Sequence, residues 1–234
     1  MPLILCLETS TLNCSVALVS GGKSGSPHSE PRVIASDETA TAHYSHAEKL
    51  HVMIDAVVRN AGLSPGDLDA VAIGSGPGSF TGLRIGAAAA KGMCAALDIP
   101  LIAVSTLDLL VLQGQKQHPE ADHIVPAIDA RRMEIYTLDL EGGPVATVVE
   151  AGFMSELSGH CVLIGDGAEK CREVLEMKKN WTYDASFPSA LAMCGPASDR
   201  YQASEFEDLA AYEPGYLKAF VAGRPKDPLG LRNE

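Results

Sequence analysis

The sequence predicts an α/β protein of two duplicated lobes, each a mixed sheet with flanking helices. Three observations carry that reading. Short β-rich apolar runs alternate with stretches of helical spacing along most of the chain. The first half reads as three strands and then alternating helices and strands, and this order restarts near residue 123. With 234 residues, 46% of them hydrophobic, the chain can bury a sizeable core.

The elements follow in order. The run 3–7 is apolar and ends at "ETST"; "CSVALVS" (14–20) follows at once, so the two read as strands joined by a tight polar turn. "GGKSGSPHSEPR" (21–32) reads as an exposed loop and "VIASDET" (33–39) as a third strand. From about 45 to 60, Leu50, Met53, Ile54, Val57 and Val58 recur at helical spacing, and Gly62 offers a stop. "LDAVAIG" (68–74) is a strand feeding a glycine-rich loop and a helix at about 81–97. "PLIAVS" (100–105) and "TLDLLVLQGQ" (106–115) complete the half as strand and helix.

"HIVPAIDARRMEIYTLDL" (123–140) then repeats the opening pattern of strand, acidic residue, turn and strand, with Asp129 in the place of Glu8. "PVATVVE" (144–150) is the third strand. "CVLIGDGAEKCREVLEM" (161–177) repeats strand, glycine turn and helix. We place the first lobe at 1–106 and the second at 107–222. The last helix packs back on the first lobe, and 223–234 forms a flexible tail.

Composition narrows the function. A net charge of −12 makes a poor stand-alone nucleic-acid binder, so a partner would hold most of any RNA. The six cysteines form no C-x-x-C pair and most lie in apolar runs, which reads as reduced thiols in a cytoplasmic protein. The N-terminus has no basic region and reads as a strand, not a signal peptide. No apolar run approaches the ~18 residues of a membrane span.

The stretch "GSGPGSFTGLRIGAAAAKG" (74–92) invites a phosphate-binding reading. It fits neither standard pattern: Gly82 is followed by Leu83 and Arg84, and Gly74, Gly76 and Gly78 alternate. Its helix carries small residues four apart, Gly82–Gly86–Ala90 and Ala88–Gly92–Ala96. Glycine costs a helix about 1 kcal/mol against alanine, so these positions suggest close packing, either inside the chain or against a partner. His43, His46 and His51 lie near one helix start, but their spacing is not H-E-x-x-H, so they read as surface or interface groups and not as a metal site. Glu8, Thr9, Ser10 and Asp129 could hold Mg²⁺ and phosphate across a cleft, or simply serve their turns. "GDGA" (165–168) could flank an adenosine or cap its helix.

"LETSTLNCSVAL", "GPGSFTGLRIG", "STLDLL", "AIDARRMEIY", "HAEKL" and "EPGYLK" together resemble the TsaB family, also called YeaZ, from the first strand to about residue 220. The resemblance implies the duplicated two-lobe fold of actin, sugar kinases and chaperone ATPases. It implies a non-catalytic subunit that binds a TsaD-like paralogue, with a TsaE-like ATPase, to form threonylcarbamoyladenosine at position 37 of tRNAs that read codons beginning with A. On it, the complex uses ATP and Mg²⁺, this chain alone binds no cofactor tightly, and tRNA is reached through the complex. The first-lobe helices would form the partner interface and can also mediate a homodimer. Carried onto this chain, that surface holds His46, Leu50, Met53, Arg84, Gly86, Ala90 and Met93. TsaD-like proteins hold a metal with an H-x-x-x-H helix, and "GLRIGAAAAKGMCAAL" has no histidine, so no metal and no catalytic residues are expected. The competing reading is an autonomous Mg²⁺-dependent ATPase or phosphotransferase of the same fold.

Overall fold

A computed structural model describes residues 1–22, 30–41, 45–175 and 180–218. The expected tail, His43 and most of the glycine- and serine-rich loop lie outside the described residues.

The first sheet contains β1 (Leu3–Glu8), β2 (Asn13–Ser20), β3 (Arg32–Ala40), β4 (Ala70–Gly74) and β5 (Leu101–Val104), in the order β3-β2-β1-β4-β5. The β1–β2 and β2–β3 pairs are antiparallel, whereas β4 lies parallel to both β1 and β5. Both faces are covered, which is why β1 and β2 read as nearly continuous apolar runs. Leu5 and Leu7 face the side of α1 (His46–Asn60) and α2 (Phe80–Leu97). Ile4 and Cys6 face the other side, where α5 (Cys194–Ala203) and the short turn of helix Ala190–Met193 pack.

The second lobe repeats the plan. β6 (His123–Pro126) and β7 (Ile128–Asp129) are one run of chain broken at Ala127. β7 pairs antiparallel with β8 (Glu134–Leu138), and β8 with β9 (Pro144–Val148). β6 pairs parallel with β10 (Cys161–Ile164), and β10 with β11 (Trp181–Asp184). Taking β6 and β7 as one strand, the order β9-β8-β7/β6-β10-β11 reproduces the first sheet strand for strand and direction for direction. The duplication read from the sequence therefore holds, and with it the expected fold class. It is incomplete in one place. No helix stands between β9 and β10, where residues 151–156 form turns and α1 has no counterpart.

The crossovers join the lobes on one side. α3 (Thr106–Gln117) leads out of the first sheet; its Leu109 packs on that sheet, while Leu107 and Leu110 pack with Ile128 and Val162 of the second. The return segment is held by Gln113, whose side-chain amide donates to the Phe187 carbonyl at 3.0 Å, and by Asn13, which donates to that of Pro188 at 3.2 Å. α4 (Ala168–Arg172) is shorter than the helix expected at 167–177.

Candidate functional site

The lobes face each other across a cleft of about 410 Å³, within the size range of small-molecule sites. Its floor is the meeting of the β1–β2 turn with the start of α2. Thr9 Oγ1 donates to the Gly82 carbonyl at 2.9 Å, and the Ser79 amide donates to the Ser10 carbonyl at 2.6 Å. A Cβ on Gly78 would fall 2.5 Å from that same Ser10 oxygen. The glycines of the loop thus let it approach another backbone; they do not ring an anion. Ser79 caps α2 through the Gly82 amide, consuming a donor that a phosphate would use.

Of the four candidate cofactor residues, Ser10 and Asp129 reach the cleft; Glu8 and Thr9 do not. Glu8 is fully buried and its carboxylate packs against the Cα of Gly74. One carboxylate oxygen accepts the Ser10 amide at 2.6 Å and the other has no partner. Burial holds its pKa above the usual carboxylate range, with hydrogen bonds from Ser10 and Thr9 opposing. The idea that Glu8 and Asp129 face each other across the cleft is corrected accordingly.

Asp129 is committed elsewhere. It accepts the Arg131 amide at 2.7 Å and forms an ion pair with Lys170. The same ammonium donates to the carbonyls of Glu134 at 2.6 Å and Arg132 at 3.1 Å. Asp166 accepts the Asp129 amide at 2.9 Å, and burial pushes its pKa up to about 6. Gly165 and Gly167 donate to the carbonyls of Asp184 and Ala127, both at 2.9 Å, so "GDGA" closes a tight turn. The fold implies a Mg²⁺-nucleotide here, and these residues do not fit one. The first acidic group is sealed in the core, and an ammonium occupies the oxygen cluster where a divalent cation would need ligands.

Of the three histidines near the start of α1, two are described. His46 is buried, and burial lowers its pKa, the Thr11 and Thr9 backbone opposing; His51 is exposed. No group of three His, Cys, Asp or Glu residues able to hold a metal exists among the described residues. Likewise, none of the described helices is long and apolar enough to cross a membrane.

The surface of α1 and α2 also requires correction. His46, Leu50, Met53, Gly86 and Ala90 are buried in the chain's own fold, so their side chains are not free for a partner. The reason is the Gly82–Gly86–Ala90 stripe, which faces inward. A Cβ on Gly86 would collide with the Thr9 hydroxyl. The second stripe faces out. Ala88, Gly92 and Ala96 are exposed, and nothing lies within 4 Å of where a Gly92 Cβ would sit. Arg84 is exposed on the same helix and Met93 is half-buried. Val52 of α1 is 68% exposed, the most exposed large apolar side chain among the described residues. Sequence reading passed over Val52; the signal was an apolar residue beside Met53 but off the buried helical face.

Comparison with known proteins follows this geometry. A family model described as TsaD, tRNA N6-adenosine threonylcarbamoyltransferase, matches residues 38–153. The tRNA threonylcarbamoyladenosine biosynthesis protein TsaB of Escherichia coli is 32% identical over 181 residues, covering 70% of this chain and 71% of the relative. The chain belongs to the TsaB family. The Haemophilus influenzae TsaB is 38% identical over 133 residues, 57% of this chain, and there the match spans about half of the relative, 51%. YeaZ from Pseudomonas aeruginosa superposes with a TM-score of 0.74 at 27% identity, covering 93% of this chain and 100% of that one. The TsaD-type match spans both α1 and α2.

Proposed function

We propose that this chain is the non-catalytic scaffold and activator subunit that docks a TsaD-like threonylcarbamoyltransferase, with a TsaE-like ATPase, for threonylcarbamoyladenosine formation at position 37 of ANN-decoding tRNAs in the cytoplasm. The observations that carry the reading are two exposed stretches on the first-lobe helices. A row of small residues, Ala88, Gly92 and Ala96, lies exposed on α2, and the bare Val52 side chain on α1. Small residues let a partner helix approach closely, and apolar area removed from water there stabilises by about 25 cal/mol per Å². The non-catalytic role is supported by the two acidic candidates, since Asp129 at the cleft is paired with Lys170 and Glu8 is buried away from it. ATP and Mg²⁺ belong on this reading to the complex, and tRNA reaches the chain through its partner. A second copy of the chain could use the same face.

Co-purification with the TsaD-like protein of the same organism tests it, with and without ATP. Association that Gly92→Leu abolishes is expected. Failure of the unsubstituted chain to associate overturns the proposal. Calorimetry of the isolated chain with ATP and Mg²⁺ separates the autonomous ATPase reading: tight binding would favour it.

A further inference from the structure

Residues 213–218 lie across the mouth of the cleft and bind both lobes. The approach to them is fastened to the first lobe. The Glu207 amide donates to the Leu101 carbonyl at 2.9 Å. Lys91 of α2 donates to the carbonyls of Ala210 at 3.3 Å and Tyr212 at 3.1 Å, and the Tyr212 ring is buried in the first core. Within the segment, the Gly215 amide donates to the Ser75 carbonyl at 2.7 Å, and the Tyr216 ring meets that of Phe80 with centroids 4.8 Å apart. Arg84 stacks on the other partner, 4.3 Å over the Phe80 ring. Two residues on, the segment changes lobes. Lys218 forms an ion pair with Glu134, donates to the Ala130 carbonyl at 3.4 Å, and stands 5.5 Å over the Tyr136 ring.

We propose that residues 213–218 are an interlobe strap that holds the cleft at a fixed opening, with Lys218 as its pin. The argument is one of connectivity. Among the described residues the lobes are otherwise joined by two crossovers, α3 and the segment around Phe187, and two such links leave a hinge. The strap is a third link, set on the cleft side, so it resists opening where the crossovers cannot. Its contacts suit a device that can release. The Lys218 and Glu134 side chains are each about a third exposed, at 33% and 34%, so their pairing is screened and modest in strength. The aromatic pair adds a second modest contact. Because Lys91 and Phe80 belong to α2, the strap also fixes the helix that carries the exposed small residues.

The test reads the lobe-to-lobe distance directly. Spin labels go on cysteines replacing Thr81 of the first lobe and Leu140 of the second, both exposed, in a chain carrying Cys194→Ser; the other five cysteines are buried. The strapped chain is expected to give one narrow distance distribution. Lys218→Met with Tyr216→Ala should lengthen and broaden it, raised salt should move the unsubstituted chain the same way, and Lys218→Arg should keep it narrow. A distribution left narrow in the double variant overturns the proposal. If the double variant fails to fold, Lys218→Met alone, which alters a partly exposed side chain, decides in the same way.

Discussion

Two glycines on one helix make opposite predictions. Gly86 and Gly92 both sit inside α2, and an alanine at either removes the same backbone freedom. At Gly92 the new methyl meets nothing within 4 Å. Gly92→Ala should therefore gain about 0.8–1 kcal/mol, the full helix-interior difference. For a chain of this length, 1 kcal/mol moves Tm by roughly 2–4 °C, so a rise of that size is expected. At Gly86 the methyl lands on the Thr9 hydroxyl, which donates to the Gly82 carbonyl at 2.9 Å. Overpacking costs about 1–3 kcal/mol and loss of a buried hydrogen bond about 1 more, against a helix gain of about 1. The net is a loss of about 2 kcal/mol and a fall in Tm of roughly 4–8 °C. Differential scanning calorimetry of the two single variants measures both. Gly92→Leu then adds the functional half: the free chain should stay folded, while capture of the TsaD-like partner is lost. Two results refute the reasoning. If Gly92→Ala lowers Tm, that face of α2 is not open. If Gly92→Leu still captures the partner, the exposed stripe is not the docking surface.

Other outcomes follow from the same geometry. Val52→Asp, at the bare apolar side chain of α1, should leave Tm within the spread of surface substitutions, a change of roughly 0.5 kcal/mol or less, yet abolish partner capture in a pull-down. Glu8 and Asp166 both have folded-state pKa values raised by burial, Asp166 to about 6. A raised carboxyl pKa gives stability that is complete below the unfolded pKa and lost as pH rises through the folded one. Urea unfolding should therefore show stability declining from about pH 4 to pH 6 through the Asp166 contribution, and Asp166→Asn should flatten that slope. Lys170→Met leaves Asp129 and two carbonyls without their ammonium and should cost roughly 1–2 kcal/mol, since the site is partly open to water; a urea melt checks it.

The duplication was legible because it is written in strand order and turn position, which hydrophobic pattern carries well. Glu8 and Asp129 do occupy matching ends of matching strands. What pattern cannot carry is how deeply each is set. Glu8 sinks because residue 74 is glycine and leaves room for a carboxylate against its Cα, a fact about two strands 66 residues apart. Asp129 stays at the cleft and is neutralised by Lys170, 41 residues on. The small residues of α2 show the same limit more sharply. Gly82–Gly86–Ala90 and Ala88–Gly92–Ala96 are equivalent as spacings, and a helix 18 residues long presents both. Only the location of Thr9 distinguishes them. The first stripe is small because the β1–β2 turn presses against it, and a side chain at Gly82 or Gly86 would collide with Thr9. Among the described residues, nothing lies within 4 Å of a Cβ built on Gly92 of the second. At Gly92 the loss of about 1 kcal/mol of helix stability therefore has no compensation among the described residues. A cost with no return among the described residues is what the proposed docking face requires.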